Sequence, residues 1–347
     1  MAYSTINKPG DYFQTKLYTG DDTNDREISL DFSPDWTWIK ARNVAYGHTL
    51  YDRVRGIGKG VSSHTNAAEA TNANGWTNSG CTTDSFTVDR GTNESLNETA
   101  RPFVSWHWLA GGSASSNTDG DITSSVSANT TSGFSVLTYT GTGTAGDTVG
   151  HGLGATPNLI IVKRRDTTGN WGVYHSARGA EKYLELDGTA AEGDSTTPWN
   201  DTEPTSSVFS LGTWTNVNAS SGTYVAYCFA EKKGFSKFGS YTGNSSTDGT
   251  FVYTGFKPAF LIQKRTDSTS HWRVFDSKRE GYNVDNDAVA ANGTDAEGTG
   301  DFVDLLSNGF KFRSTDAAVN GSSGSYIYIA FAERSLVGTN DVPALAR

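Results

Sequence analysis

Three stretches of the chain share a run of aromatic and β-branched residues that contains no Gly or Pro. They are residues 326–333, residues 224–231 and, in a looser form, residues 103–108. This composition predicts a strand that is packed on both faces or lies in a sandwich core. Because the same closing strand occurs three times, the sequence predicts a structural unit that occurs three times.

Further landmarks precede each closing strand in a constant order. An opening segment ends in Tyr-Thr-Gly, a Pro stands six residues before a Lys, and an apolar pair precedes Asp or His with Arg three residues later. An Ala-Glu dipeptide and a Phe-containing strand follow. Pro34 and Phe86 recur 123 residues later as Pro157 and Phe209, and these recur 101 residues later as Pro258 and Phe310. Constant offsets between distant landmarks indicate true repeats.

Each unit has about 100 residues and several short strands, which is typical of one β-sandwich. The sequence therefore predicts an all-β fold of three tandem β-sandwich units of the jelly-roll or lectin-like kind. The predicted parts are an N-terminal arm (1–12), unit 1 (13–110), a Gly/Ser/Thr-rich linker (111–133), unit 2 (134–233), unit 3 (234–335) and a C-terminal tail (336–347). The linker composition predicts flexibility, so unit 1 should be independent. Only Lys232-Lys233-Gly234 separates units 2 and 3, which should therefore form a rigid pair.

Equivalent residues are predicted to build three separate cores. They are Trp38, Val162 and Ile262 in the strand after the Pro, then Phe86, Phe209 and Phe310, and finally Trp108, Phe229 and Phe331 in the closing strand. Truncating a buried aromatic residue to Ala costs about 3–5 kcal/mol. With independent units, Phe331→Ala should unfold unit 3 and leave unit 1 unaffected.

Charge and composition narrow the classes of partner. The formal net charge of −10, without basic clusters, argues against nucleic-acid binding. No apolar run approaches the length of a membrane span, and the N-terminus lacks the apolar stretch of a secretory signal. Of the two cysteines, Cys81 and Cys228, the second lies in a predicted core strand, where a small buried thiol is favoured over a disulfide between units.

The polar residues at fixed places are candidates for turn formation. They are Asp52 with Arg55, His175 with Arg178, and Asp276 with Arg279. Local pairing that pins a turn at a sheet corner is favoured over a ligand groove. His175 replaces Asp in one copy, which suits a pinned turn better than a catalytic acid, whose task depends on its pKa.

The chain carries no established catalytic motif, so the sequence predicts a protein that is not an enzyme and has no cofactor. A glycosidase needs only two carboxylates, and the 38 acidic residues leave that alternative open. The run Asp285-Asn286-Asp287 lacks the spacing of a calcium loop and is interpreted as a solvated turn, with no metal site.

Three tryptophans in polar segments are candidates for surface contacts. They are Trp76, Trp199 and Trp214, which lie outside the predicted strands. Such a residue can stack on a sugar or dock a protein, and the alternative is that it caps the end of a sandwich.

The Pro-x5-Lys strand, the Asp-x-x-Arg-Gly turn and the Tyr-x-Tyr-x-Ala-Phe-Ala-Glu ending resemble repeats in virion structural or tail-fibre-like proteins of marine tailed bacteriophages. Val54-Arg55-Gly56 followed by Ala68-Glu69-Ala70 is close to that pattern, whereas the second and third copies depart from it at the turn. The resemblance implies a non-enzymatic structural protein on the particle exterior, made in the host cytoplasm. A tail-fibre or adhesin-type component is favoured, and a capsid decoration protein is the alternative.

A tail-borne glycan-degrading hydrolase is the alternative from another functional class. The partners implied are other virion proteins, a host surface glycan and further copies of the chain, with a symmetric trimer favoured. Neither nucleic acid nor membrane insertion is expected.

Overall fold

The computed structural model describes residues 6–56, 58–71, 84–89, 96–279, 283 and 285–334. Nearly all regular structure in this part of the chain is β-strand, so the all-β prediction is confirmed. None of its helices is long and apolar enough to cross a membrane.

The elements follow the chain in three groups. The first is a 3-10 turn at Pro9–Asp11, then β1 Phe13–Thr19, β2 Arg26–Ser29, β3 Trp36–Ala41, β4 Thr49–Asp52, β5 Lys59–Gly60, β6 Ala70–Thr71, β7 Ser85–Val88 and β8 Pro102–Trp108. The second is β9 Ser115–Asn117, β10 Ser124–Asn129, β11 Phe134–Thr140, β12 Thr148–Gly150, β13 Leu159–Arg164, β14 Gly172–His175, β15 Lys182–Glu185, β16 Gly193–Asp194, α1 Thr196–Trp199, β17 Val208–Ser210, α2 Thr215–Asn218 and β18 Thr223–Phe229. The third is β19 Ser236–Thr242, β20 Phe251–Tyr253, β21 Phe260–Arg265, β22 Arg273–Asp276, β23 Asp285–Ala290, β24 Gly298–Leu306, β25 Gly309–Phe312, α3 Ala317–Asn320 and β26 Ser325–Phe331.

Each unit contains a main antiparallel sheet with the closing strand between the opening strand and the strand after the Pro. The orders are β1-β8-β3-β4, β11-β18-β13-β14 and β19-β26-β21-β22. The registers also correspond: Trp36 pairs with Trp108, Leu159 with Phe229, and Phe260 with Phe331. Residues at the same distance along the chain from these three pairs are equivalent in the three units.

A smaller pair of strands packs on the outer face of each main sheet. The pairs are β2-β7, β12-β17 and β20-β25, and in unit 3 the strands β23 and β24 connect the pair to the main sheet. Alternate residues of the closing strand face this outer layer, as Tyr224, Ala226 and Cys228 do in β18. Each unit therefore has an outer core of its own, and the predicted Phe86, Phe209 and Phe310 lie in these three cores.

The other faces of the three main sheets meet in one central core, so the prediction of separate units is wrong. Phe331 of unit 3 lies 5.6 Å from Phe13 and 5.7 Å from Trp108 of unit 1, measured between ring centroids. It also lies 5.5 Å from Phe229 of unit 2. The physical reason is that the main sheets are apolar on both faces, and each inner face must be buried against another layer.

Residues 111–133 are not a flexible linker. They contain β9 and β10, and β10 pairs with β11 along its length. Ile122 and Val126 are buried in the outer core of unit 2. A few apolar side chains on the inward face hold this segment against the core, even though Ser, Thr and Asn dominate its composition.

Two smaller expectations also change. Ile6, from the predicted N-terminal arm, is buried in the central core. All nine predicted core residues are buried, but Val162 faces the outer core whereas Trp38 and Ile262 face the central one. Ile161 is the inward residue of that strand, because a shift of one position moves a side chain to the other face. The predicted tail, residues 336–347, lies outside the described residues.

Candidate functional site at the unit boundaries

The predicted turn pairs form in units 1 and 3. The Asp52 carboxylate accepts hydrogen bonds from the Arg55 backbone N–H at 2.8 Å and from Arg55 Nε at 2.5 Å. Asp276 accepts the equivalent bonds from Arg279 at 3.0 and 2.6 Å. All four side chains are 0% exposed. The interpretation of these four residues as a ligand groove is therefore wrong, because solvent does not reach them.

Each buried acid also binds the next unit. Tyr227 of unit 2 donates its hydroxyl hydrogen to Asp52 Oδ2 at 2.8 Å, and Trp106 of unit 1 donates from Nε1 to Asp276 Oδ2 at 3.1 Å. Tyr227 and Trp106 occupy equivalent positions, two residues before the end of their closing strands. The turn acids thus join unit 1 to unit 2 and unit 3 to unit 1.

His175 makes the third of these contacts in a different way. Its Nε2 lies 3.2 Å from the Tyr328 carbonyl oxygen of unit 3, and its Nδ1 accepts from the Ala177 backbone N–H. Burial lowers the pKa of His175 to about 4, so the ring is neutral with its hydrogen on Nε2. The residue of unit 3 equivalent to Tyr227 is Ile329, which has no hydrogen to donate. A donor such as His therefore fits where Asp would face a carbonyl oxygen.

Arg178 does not pair with His175 but with Glu192, whose carboxylate accepts from both Nε and Nη2. Glu192 has equivalents in Glu69 and Glu297, the glutamates of the Ala-Glu dipeptides. Each glutamate donates its backbone N–H to a carbonyl oxygen of the following unit. Glu69 donates to Arg165 at 2.9 Å, Glu192 to Thr266 at 2.9 Å, and Glu297 to Arg42 at 2.7 Å. The loops that carry these glutamates therefore cross the boundaries.

The glutamate side chains strengthen two of those crossings. Glu69 is bound by Arg55 of its own unit at 3.2 Å and by Arg165 of unit 2 at 2.8 Å. Glu297 is bound by Arg42 of unit 1 at 2.6 Å. Burial by itself would raise the pKa of both carboxyl groups, but the arginines outweigh it and hold each pKa below its usual value. The Ala-Glu dipeptide recurs in every unit of the sequence, but its spacing alone did not indicate a contact between units.

A third set of contacts uses ring nitrogens. Trp171 Nε1 donates to the Ser62 carbonyl of unit 1 at 3.0 Å, and Trp272 Nε1 donates to the Glu185 carbonyl of unit 2 at 2.9 Å. His48 Nε2 lies 2.9 Å from the Ala290 carbonyl of unit 3. The unit order 1 to 2, 2 to 3 and 3 to 1 is therefore closed by three comparable hydrogen bonds.

The three landmark lysines are buried near the same boundaries. Lys163 donates to the Asn66 carbonyl of unit 1 at 3.1 Å, and Lys264 donates to the Thr189 carbonyl of unit 2 at 3.2 Å. Lys40 donates within its own unit, to the Ala41 carbonyl at 2.6 Å. Burial lowers the pKa of each amine to about 8.

The predicted surface tryptophans are not exposed where the structure describes them. Trp199 is buried in the outer core of unit 2, and Trp214 packs partly buried against that core with its ring centroid 5.1 Å from Tyr183. Trp199 lies in α1 and Trp214 immediately precedes α2, and both rings pack against the core instead of standing free on the surface. Trp76 lies outside the described residues.

The described part of the chain contains no group of three or more metal-ligating side chains. The Asp287 carboxylate lies 3.3 Å from Arg42 Nη2 and belongs to the boundary between units 3 and 1. Burial and the nearby Glu297 raise the pKa of Asp287 to about 6. The side chains of Asp285 and Asn286 lie outside the described part. Cys228 is a buried free thiol, as expected, and Cys81 lies outside the described residues.

One sequence family accounts for nearly the whole chain. Residues 8–335 match a domain of unknown function, DUF7483. The chain belongs to the DUF7483 family. A single DUF7483 domain therefore spans all three units, in agreement with the central core that they share. No curated protein matches the sequence.

Proposed function

We propose that this DUF7483 protein is a non-enzymatic structural protein on the exterior of a tailed bacteriophage particle, as a tail-fibre or adhesin-type component. The resemblance of its repeated motifs to those of phage virion proteins suggests this class. A structural role is supported by the contacts of the polar residues that recur at the same place in each unit. Asp52, Asp276 and their equivalent His175 form hydrogen bonds across the boundaries between units.

Buried ionic contacts of this kind suit a scaffold better than a catalytic site. An acid or base that transfers a proton must reach the substrate. The carboxylates of Asp52 and Asp276 instead hold an arginine and a ring donor out of solvent. Removing one member of a buried pair costs about 3–5 kcal/mol, so these residues protect the arrangement of the three units.

Immunogold labelling of purified phage particles whose genome encodes the chain tests the proposal. Gold confined to the tail supports the adhesin role. Absence of the protein from purified particles, measured in parallel by mass spectrometry, would refute a virion role altogether.

A capsid decoration protein is the second candidate, and one structural feature favours it. Three equivalent units close around one core, and such an arrangement matches the threefold positions of a symmetric shell. Gold spread over the head, with none on the tail, would favour this role over the adhesin role.

The hydrolase alternative rests on Asp287 and Glu297, whose pKa values are moved in opposite directions. Separation of two carboxyl pKa values is typical of an acid and base pair, but Arg42 binds both side chains here. Incubation with host surface polysaccharide should release no new reducing ends. Release that is lost in Glu297→Gln but kept in Glu192→Gln would overturn the non-enzymatic proposal.

A further inference from the structure

The outer strand pairs include one equivalent edge strand in each unit: β2, β12 and β20. Their central residues are buried and stand opposite the same Phe of the neighbouring strand. The pairs are Ile28 with Phe86, Val149 with Phe209, and Val252 with Phe310. The residues before and after each central position face the other way. The chain treats these three edges differently.

The edge in unit 1 carries a charge. Glu27 and Ser29 flank Ile28 and are exposed, and Glu27 accepts a hydrogen bond from Ser85 Oγ at 2.5 Å. A charged side chain on an edge strand opposes pairing with another chain.

The edge in unit 2 is covered by the segment that precedes this unit. Ile122 forms a parallel bridge with Val149 and donates its backbone N–H to the Thr148 carbonyl at 2.9 Å. Asp121 Oδ2 accepts from the Thr148 backbone N–H at 3.1 Å, and Ser124 Oγ donates to the Gly150 carbonyl at 2.8 Å. An extended segment therefore fits against this edge, and it satisfies the outward polar groups.

Among the described residues, the edge in unit 3 has neither a charged side chain on its strand nor a segment that covers it. β20 ends its sheet, with β25 as its neighbour. Phe251 is 45% exposed and Tyr253 is 59% exposed. The Thr254 backbone N–H points toward β25, where it donates to Asn308 at 3.0 Å. Because antiparallel pairs alternate, the N–H and C=O groups of Phe251 and Tyr253 face the open side.

We propose that β20 pairs antiparallel with β20 of a second copy of this chain, across a twofold axis at Val252. Phe251 then lies opposite Tyr253 of the partner subunit. Each such pair exchanges two backbone hydrogen bonds, and the aromatic side chains form cross-strand pairs.

The uncharged edge of unit 3 is the place where a second copy can approach without charge repulsion. The chain has a formal net charge of −10, so two copies repel over most of their surface. Residues 249–256, which contain β20, carry no charged side chain. The nearby Lys311 is paired with Asp248 of its own unit. The twofold contact therefore brings together the one edge of the three that, among the described residues, is neither charged nor covered.

The same comparison sets the stoichiometry. A twofold contact uses the same patch on both subunits and is complete with two copies. Because the equivalent edges β2 and β12 are charged or covered, the same contact is not repeated by units 1 and 2. The structure thus favours a dimer through β20, in place of the trimer that the sequence favoured, and this inference holds wherever the protein is located.

Sedimentation equilibrium of the full chain over a range of concentrations tests the dimer. The wild type should approach twice the monomer mass of 37.1 kDa. The double variant Phe251→Glu, Tyr253→Ser carries the residues that unit 1 has at these positions, and it should sediment as a monomer with unchanged circular dichroism. Ser125→Glu, which adds a charge on the exposed face of β10, should remain a dimer.

The reverse exchange, which places the edge residues of unit 3 on unit 1, provides a second test. Glu27→Phe with Ser29→Tyr gives unit 1 the aromatic edge of unit 3, and this variant should form species larger than a dimer. Three results would overturn the proposal: a wild-type monomer at the highest concentration, a wild-type trimer, or a dimer that persists in the Phe251→Glu, Tyr253→Ser variant. A monomer that binds a glycan or an unrelated peptide through Phe251 would overturn it as well.

Discussion

Replacement of Phe331 by Ala should destabilise all three units together. Phe331 is 2% exposed, and its ring contacts aromatic rings of units 1 and 2 as well as its own unit. Loss of a buried Phe side chain costs about 3–5 kcal/mol, because the cavity adds to the lost transfer free energy. The substitution opens this cavity where the three main sheets meet.

The size of the melting shift distinguishes a shared core from independent units. An unfolding entropy of about 2.1 cal/mol/K per residue gives roughly 0.7 kcal/mol/K for the whole chain. A loss of 3–5 kcal/mol then lowers Tm by about 4–7 °C in one transition. If unit 3 melted alone, its roughly 100 residues would give a shift of about 14–24 °C for that part of the chain.

Differential scanning calorimetry measures both the shift and the number of transitions. Phe310→Ala is the matched control, because Phe310 is equally buried but its aromatic contacts are Tyr241, Phe312 and Tyr328 of unit 3. Hydrogen exchange in β8 should rise more in Phe331→Ala than in Phe310→Ala, because only Phe331 contacts Trp108 of β8. Two separate transitions in Phe331→Ala, with unchanged exchange in β8, would refute the shared core.

Three other predictions follow from the boundaries and from β10. Subtilisin, whose specificity is broad, should leave residues 111–133 intact under native conditions, because β9 and β10 are paired in a sheet; early cleavage there would show that the segment is open. His175→Asp should cost about 3–5 kcal/mol in urea unfolding, because it buries a carboxylate against the Tyr328 carbonyl, and adding Ile329→Tyr should recover part of the loss, as in the Asp52 and Tyr227 pair. Additive effects in the double variant would contradict this pairing. Burial lowers the pKa of His107 to about 3 and of His175 to about 4, from 6.5. The unfolded chain therefore binds more protons below pH 6.5, and stability should fall from pH 7 to pH 5 by roughly 2 kcal/mol per histidine. His175→Gln should reduce this pH dependence, and an equal dependence in that variant would contradict the assignment.

The repeat register and the strands were accessible from sequence because they depend on local patterns. The spacing from Pro34 to Phe86 recurs with constant offsets, and β-branched and aromatic runs form strands wherever their side chains can be buried. The turn pairs were also accessible, since Asp52 and Arg55 are three residues apart. A carboxylate can accept a hydrogen bond from a backbone N–H a few residues away, so such a pair needs no distant contact to be predicted.

Contacts between units were not accessible in the same way. Nothing local to Phe331 distinguishes a residue in the core of one unit from a residue in a core shared by three, because both require a strand that is apolar on two faces. The glutamates at 69, 192 and 297 belong to the same case. Their spacing was visible, but their partners lie in the next unit and only the closed arrangement brings them together.

Predictions from composition were wrong where a few apolar residues in a polar segment are buried by tertiary contacts. Residues 111–133 have the polar composition of a linker, yet Ile122 and Val126 anchor them to unit 2. Trp199 and Trp214 lie in polar loops but turn inward. Conversely, Phe251 and Tyr253 follow an ordinary strand pattern, and only the sheet order places them at an open edge. The sequence determined which residues form strands, because strand formation is a local property. The tertiary structure decided which faces and edges are covered, because that depends on residues far apart in the chain.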